Sequence, residues 1–222
     1  MTTFAVAGLA VDERALAIVL GCAGAAWGLL ADRIGARWPA HEDGRTRDVD
    51  WRTPVVALLG GAALAALPLR LADAGQVLLF GGYFLALTLL LATDLDQRLL
   101  PDVVTLPLIA ITLVLAVGGW NPLVAGQLGW AVVAALAIPG FLFALSIPFG
   151  SGAIGMGDLK LLVSVGLLTG LARSVSGLVV GALAAGVVIG VLLVLRRVTL
   201  RTYIPFGPFL ILGAYWAVLV RL

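Results

Sequence analysis

The feature that most constrains this chain is a series of apolar runs, each about long enough to cross a bilayer, separated by short breaks that hold nearly all the charge. A helix rising about 1.5 Å per residue needs roughly 20 such residues to span the hydrocarbon. Eight runs meet or approach that length: 15–31, 54–69, 76–93, 103–117, 123–149, 158–171, 174–195 and 205–220. With 62% of residues apolar and 12% charged, no globule of 222 residues has interior enough to hide so much hydrocarbon. The pattern predicts an all-α polytopic membrane bundle of about eight transmembrane helices, forming a single membrane domain over 1–222 with the lipid bilayer as its solvent.

The breaks carry the remaining information. Residues 32–53 hold Arg33, Arg37, Arg45, Arg47 and Arg52 beside five acidic residues and His41, and they read as a water-exposed loop, with His41 solvated. If that loop is cytoplasmic, Arg98, Lys160, Arg196, Arg197 and Arg201 fall on the same side, ten of the fourteen basic residues in all. Both termini are then outside, and a cytoplasmic (inner) membrane orientation follows. Residues 1–10 lack a basic n-region, so no cleaved signal peptide is expected. The single cysteine, Cys22, lies in the first run, where it builds neither a disulfide nor a CxxC metal site. A net charge of +2 offers nucleic acid no footprint. Pro139-Gly140 predicts a kink in the fifth run, and Gly177, Gly181, Gly186 and Gly190 predict close approach of a neighbour to the seventh.

Two carboxylates stand where apolar runs meet polar breaks: Asp94 at the end of the third and Asp158 at the start of the sixth, on the same predicted side. Acidic groups at membrane depth are costly and ask for a reason. Two carboxyls sharing one proton hydrolyse a peptide bond without metal, one drawing a proton from water while the other polarises the carbonyl. Such a pair titrates as a unit, with one pKa raised. Gly155 and Gly157 leave the backbone beside Asp158 uncovered, and the positive end of a helix dipole favours Asp158 as base, leaving Asp94 as acid. The plainer reading makes such residues helix caps or ion-pair partners. Asp96 with Arg98, and Asp102 after Pro101 at the start of the fourth run, fit it, so Asp96→Asn and Asp102→Asn are expected to leave most activity. Lys160, two residues from Asp158 on one helix, does not face it. A proton- or cation-coupled transporter using the same aspartates is the alternative, although no acidic residue lies near the middle of a run and the second half does not repeat the first. An inactive membrane scaffold would share the fold without turnover.

Residues 94–108 read DLDQRLLPDVVTLPL, 155–160 read GMGDLK and 204–209 read IPFGPF. In this order, within 94–212, they resemble the DxxxxxxPDxxTxPL, GxGDxK and IPFGP motifs of bacterial type IV prepilin peptidases, the second shared in shorter form with GxGD-type intramembrane aspartyl proteases. The resemblance implies an aspartic endopeptidase with Asp94 and Asp158 as its catalytic pair and Pro101, Asp102, Gly155, Gly157 and Lys160 as motif support. Its substrates would be prepilins or type II secretion pseudopilins, cut on the cytoplasmic side after a short basic leader. Many members also carry two CxxC pairs, apparently binding zinc, in the first cytoplasmic loop, and N-methylate the new terminus with S-adenosylmethionine. Residues 32–53 contain no cysteine. No metal is therefore expected there, no cofactor is needed for hydrolysis, and methyl transfer, like the oligomeric state, stays open.

Overall fold

The computed structural model describes all residues except 1, 2, 7, 8, 41–43, 45, 150–153, 200–204, 221 and 222. His41 and Arg45 of the first loop, part of the glycine-dense stretch before Asp158, and Arg201 and Ile204 lie outside the described residues. The chain divides into two compact units, Met1–Pro101 and Asp102–Leu222.

The first unit opens with an antiparallel hairpin of β1 (Thr3–Val6) and β2 (Leu9–Asp12), a small addition to the helical bundle the sequence predicts. Three helices follow, α1 (Glu13–Gly35), α2 (Arg52–Arg70) and α3 (Ala74–Gln97). Asp12 starts α1 by accepting the Arg14 backbone N–H, and Asp73 starts α3 by accepting that of Gln76 at 2.9 Å, each satisfying a donor that a helix start leaves unpaired. Small residues let α1 and α2 approach closely. A Cβ added to Gly24 would stand 2.5 Å from the Gly60 carbonyl oxygen, and one on Gly28 would stand 2.6 Å from Ala57 Cα. In lipid, where burial between helices supplies little drive, such backbone proximity is the main source of helix association. From α1, Trp27 donates its indole N–H to the Leu85 carbonyl of α3 at 2.9 Å.

The second unit contains α4 (Asp102–Val117), α5 (Leu128–Ser146) with a 3-10 turn over Ile147–Phe149, α6 (Met156–Val194) and α7 (Gly207–Leu219). Within α6, Gly170 has φ 71° and ψ 179°, a conformation open to glycine and almost closed to L side chains. It separates an arm over 156–169 from one over 171–194, the sixth and seventh runs of the sequence. A broken helix exposes carbonyls that hydrocarbon does not solvate. Here Asn121, fully buried in the α4–α5 connection, donates to the Leu168 carbonyl at 2.6 Å, while Thr169 Oγ1 donates to Val165 O at 2.9 Å and lies 2.8 Å from Ser174 Oγ. Gly177 and Gly181 face the α7 backbone at Gly213 and Phe209, as their spacing predicts, whereas Gly186 and Gly190 face open space.

By length and composition α1, α2, α3, α5 and α6 are apolar enough to cross a membrane, and α4 and α7 are shorter apolar helices of 16 and 13 residues. Outward-facing Leu58, Leu78, Leu136 and Val187 give these helices a surface suited to lipid. The molecule is a multi-pass helical membrane protein. Two boundaries differ from those the sequence predicts. Run 123–149 loses its start, because Asn121 Oδ1 accepts the Leu123 N–H at 3.0 Å and holds 121–127 as turns. The charged stretch 32–53 shrinks to a loop over 36–51, since Asp32 and Arg33 stay in α1 and Arg52 and Thr53 begin α2.

Close packing of α1 on α2 is testable. Gly28→Leu would push two backbones apart at a cost of about 1–3 kcal/mol, lowering the melting temperature of the purified protein. Gly190→Leu, with nothing within 4 Å of the added Cβ, should leave that temperature unchanged.

Candidate active site

Asp94 lies in the last turn of α3, 4% exposed, behind the buried run Leu90, Leu91, Ala92 and Thr93. Arg98 ends the helix in the left-handed conformation (φ 56°), and its N–H returns to the Asp94 carbonyl at 2.9 Å. Gly35, at the end of α1, sits against the backbone just before Asp94, where an added Cβ would come within 3.2 Å of Ala92 and 3.3 Å of Thr93. The last turn of α3 is therefore packed as well as capped.

In the second unit Asp158 occupies the first turn of α6 and is half-buried. Gly155, extended at φ −67°, precedes the helix, and the Asp158 carboxylate lies close to it. A Cβ on Gly155 would lie 3.3 Å from Asp158 Oδ2, so glycine at this position keeps that carboxylate uncrowded. Gly157 lies in the same turn. Lys160 reaches Asp102 at the start of α4, its Nζ donating to both carboxylate oxygens at 2.6 and 2.7 Å. Lys160 is thus a partner of Asp102, and the pair joins the second half of the first motif to the GxGDxK motif. Pro101, buried, closes the first unit where α4 begins. In the second unit, then, Asp102, Asp158 and Lys160 share one end, while Asn121, Leu168 and the Arg173–Val220 carbonyl contact mark the other.

Sequence reasoning missed an ionic cluster beside Asp94. Asp32, 1% exposed at the side chain, accepts from Arg33 through Nε at 3.1 Å and Nη2, from Thr53 Oγ1 at 2.6 Å and from Arg47 Nη2. Arg47 also donates to Asp50 and brings Nε within 2.6 Å of Asp96 Oδ1, to which Arg52 Nη1 donates at 3.0 Å. Burial works against the Arg47 charge. Hydrogen bonding and attraction from Asp32, with Asp96 and Asp50 adding theirs, outweigh it and hold the guanidinium above its ordinary pKa. Asp96 is thus an ion-pair partner as its position suggests, of Arg47 in the loop and Arg52 at the start of α2. The signal lay in Asp32, an acid near the end of an apolar run. Among the described residues, no three metal-ligating side chains of His, Cys, Asp or Glu come together to hold a metal ion.

These features define a multi-pass membrane protein with acidic motif residues in the terminal turns of apolar helices. Residues 82–195 match the type IV leader peptidase family, and the chain belongs to that family. It is 34% identical over 169 residues to a prepilin leader peptidase/N-methyltransferase of Burkholderia pseudomallei (strain 1026b), covering 73% of this chain and 52% of that protein. A protein of the same name from Pseudomonas putida is 34% identical over 196 residues, 84% of this chain and 60% of the relative. One from Pseudomonas aeruginosa is 31% identical over 147 residues, 66% of this chain and 50% of the relative. The chain thus spans about half the length of the curated relatives it matches. No solved structure matches it.

Proposed function

We propose that this chain is an aspartic endopeptidase that removes the basic leader from type IV prepilins or pseudopilins at the cytoplasmic face of the inner membrane, with Asp94 and Asp158 as its catalytic pair. One observation carries the reading: within a leader peptidase family member, both motif aspartates occupy terminal turns of apolar helices, Asp94 at an α3 end and Asp158 at an α6 start. The basic-residue bias of the loops supports the orientation, with both termini outside.

In this mechanism the Asp158 carboxylate takes a proton from water as the water oxygen attacks the scissile carbonyl carbon, and Asp94, carrying the shared proton, donates to the carbonyl oxygen. The assignment follows the helix ends: a first turn favours negative charge and a last turn favours the neutral acid. Asp158 then passes its proton to the amide nitrogen, the C–N bond breaks, and the re-forming carbonyl returns a proton to Asp94. One water is consumed and no cofactor takes part. Gly155 keeps the Asp158 carboxylate uncrowded, and the Lys160–Asp102 pair anchors the start of α4 beside that of α6.

The test is incubation of the purified chain with a prepilin bearing a short basic leader and an apolar helix, followed by mass measurement. Expected is loss of the leader at one bond, just after a glycine, and the same spectrum shows whether a methyl group is added from S-adenosylmethionine. An intact prepilin would refute the reading. A pair sharing one proton also predicts a bell-shaped dependence of kcat on pH, and a flat profile from about pH 5 to 9 would contradict it.

A further inference from the structure

We propose that Arg47 and Asp96 are positioning residues for Asp94, forming a charge clamp that fixes the last turn of α3; this inference rests on the reading of Asp94 as a reacting carboxyl. A terminal helical turn is where a helix frays, because its carbonyls lack partners further along the chain. Asp94 sits on such a turn, yet the residues before and after it are held. Before it, Gly35 packs on Ala92 and Thr93. After it, Asp96 meets Arg47 and Arg52, and Gln97 Nε2 donates to the Pro39 carbonyl at 2.6 Å.

Arg47 is the centre of this arrangement. Its side chain, 12% exposed, donates through Nη2 to Asp32 at the end of α1 and through Nη1 to Asp50 in the loop, and its Nε lies within ion-pair distance of Asp96 at the end of α3. Among the described residues, three arginines (33, 47, 52) and three aspartates (32, 50, 96) pair in this cluster, so their charges balance in its partly buried setting. A guanidinium serves three carboxylates at once because its donors are fixed in a planar fork, a geometry that a lysine ammonium does not reproduce. The loop is thereby tied to α1 and α3 by these ion pairs together with the Gln97–Pro39 hydrogen bond.

The contacts of Asp96 with Arg47 and Arg52 replace the sequence-based expectation that Asp96→Asn leaves most activity: Asp96→Asn and Arg47→Gln should each lower kcat for prepilin cleavage by about 10- to 100-fold, the scale of an ångström-level misplacement of a reacting group, while KM moves less than about threefold. Arg47→Lys, which keeps the charge, should restore only a minor part of the loss. Rates are taken per folded molecule, with the melting temperature of each variant measured alongside. If Asp96→Asn or Arg47→Gln does not fold, Arg52→Gln, which removes one arm on Asp96, replaces it, with a predicted drop of about threefold to tenfold. A kcat within twofold of the unaltered protein in the folded variants, with Asp94→Asn inactive, overturns the clamp and leaves the reading of Asp94 standing. Cleavage by Asp94→Asn overturns that reading and this inference with it.

Discussion

Asp94→Asn and Asp158→Asn are each expected to abolish prepilin cleavage, lowering kcat by at least about 10³-fold, as the loss of an essential acid or base requires. Asparagine keeps the size of the side chain and removes only the capacity to take and return a proton, so the fold should survive. The double variant should be no slower than either single one, because two groups acting on one proton fail together. Asp102→Asn is the informative comparison. Its carboxylate is engaged by Lys160 and 57% exposed, so it should retain most activity. Full cleavage by either the Asp94 or the Asp158 variant, or a double variant clearly slower than both, would remove the shared-proton mechanism.

Asp32→Ala should cost about 3–5 kcal/mol of unfolding free energy, measured by denaturation of the purified protein in detergent. The mechanism is the stranding of charge. Asp32 is 1% exposed and receives Arg33, Arg47 and Thr53, so its removal leaves two guanidinium groups facing each other with Arg47 only 12% exposed. The Arg33 side chain is partly exposed, but Arg47 is largely shielded from water, and like charges at that distance repel. Asp48→Ala, a change at an exposed residue of the same loop, should stay within about 0.5 kcal/mol. A loss below about 1 kcal/mol for Asp32→Ala would show that the cluster hydrates freely and that its ion pairs contribute little.

Much of this architecture was legible in the chain itself. The apolar runs are helical over most of their described residues, in seven helices with the sixth and seventh runs as the two arms of α6, because in hydrocarbon a helix is the one local structure that satisfies its own backbone. The motif residues fell at helix ends for the same reason, since carboxylates are tolerated only near the polar boundary. Harder to read was the internal life of the charged loop. From composition it appeared solvated, yet Arg47 and Asp32 are turned inward, and nothing in their spacing of fifteen residues announces a contact. Asn121 was equally silent: it reads as a turn residue beside Trp120, and its role follows only from the break at Gly170 forty-nine positions later.

Sequence by itself therefore determined the helical class, the approximate runs, the family and the two acidic residues on which a hydrolytic reading depends, because hydropathy and motif spacing are local properties of the chain. Tertiary structure alone decided which cation meets which anion: Lys160 goes to Asp102 rather than Asp158, and Arg47 joins Asp32, Asp50 and Asp96. Ion pairs act over a few ångströms whatever the separation along the chain, so their partners are chosen by packing.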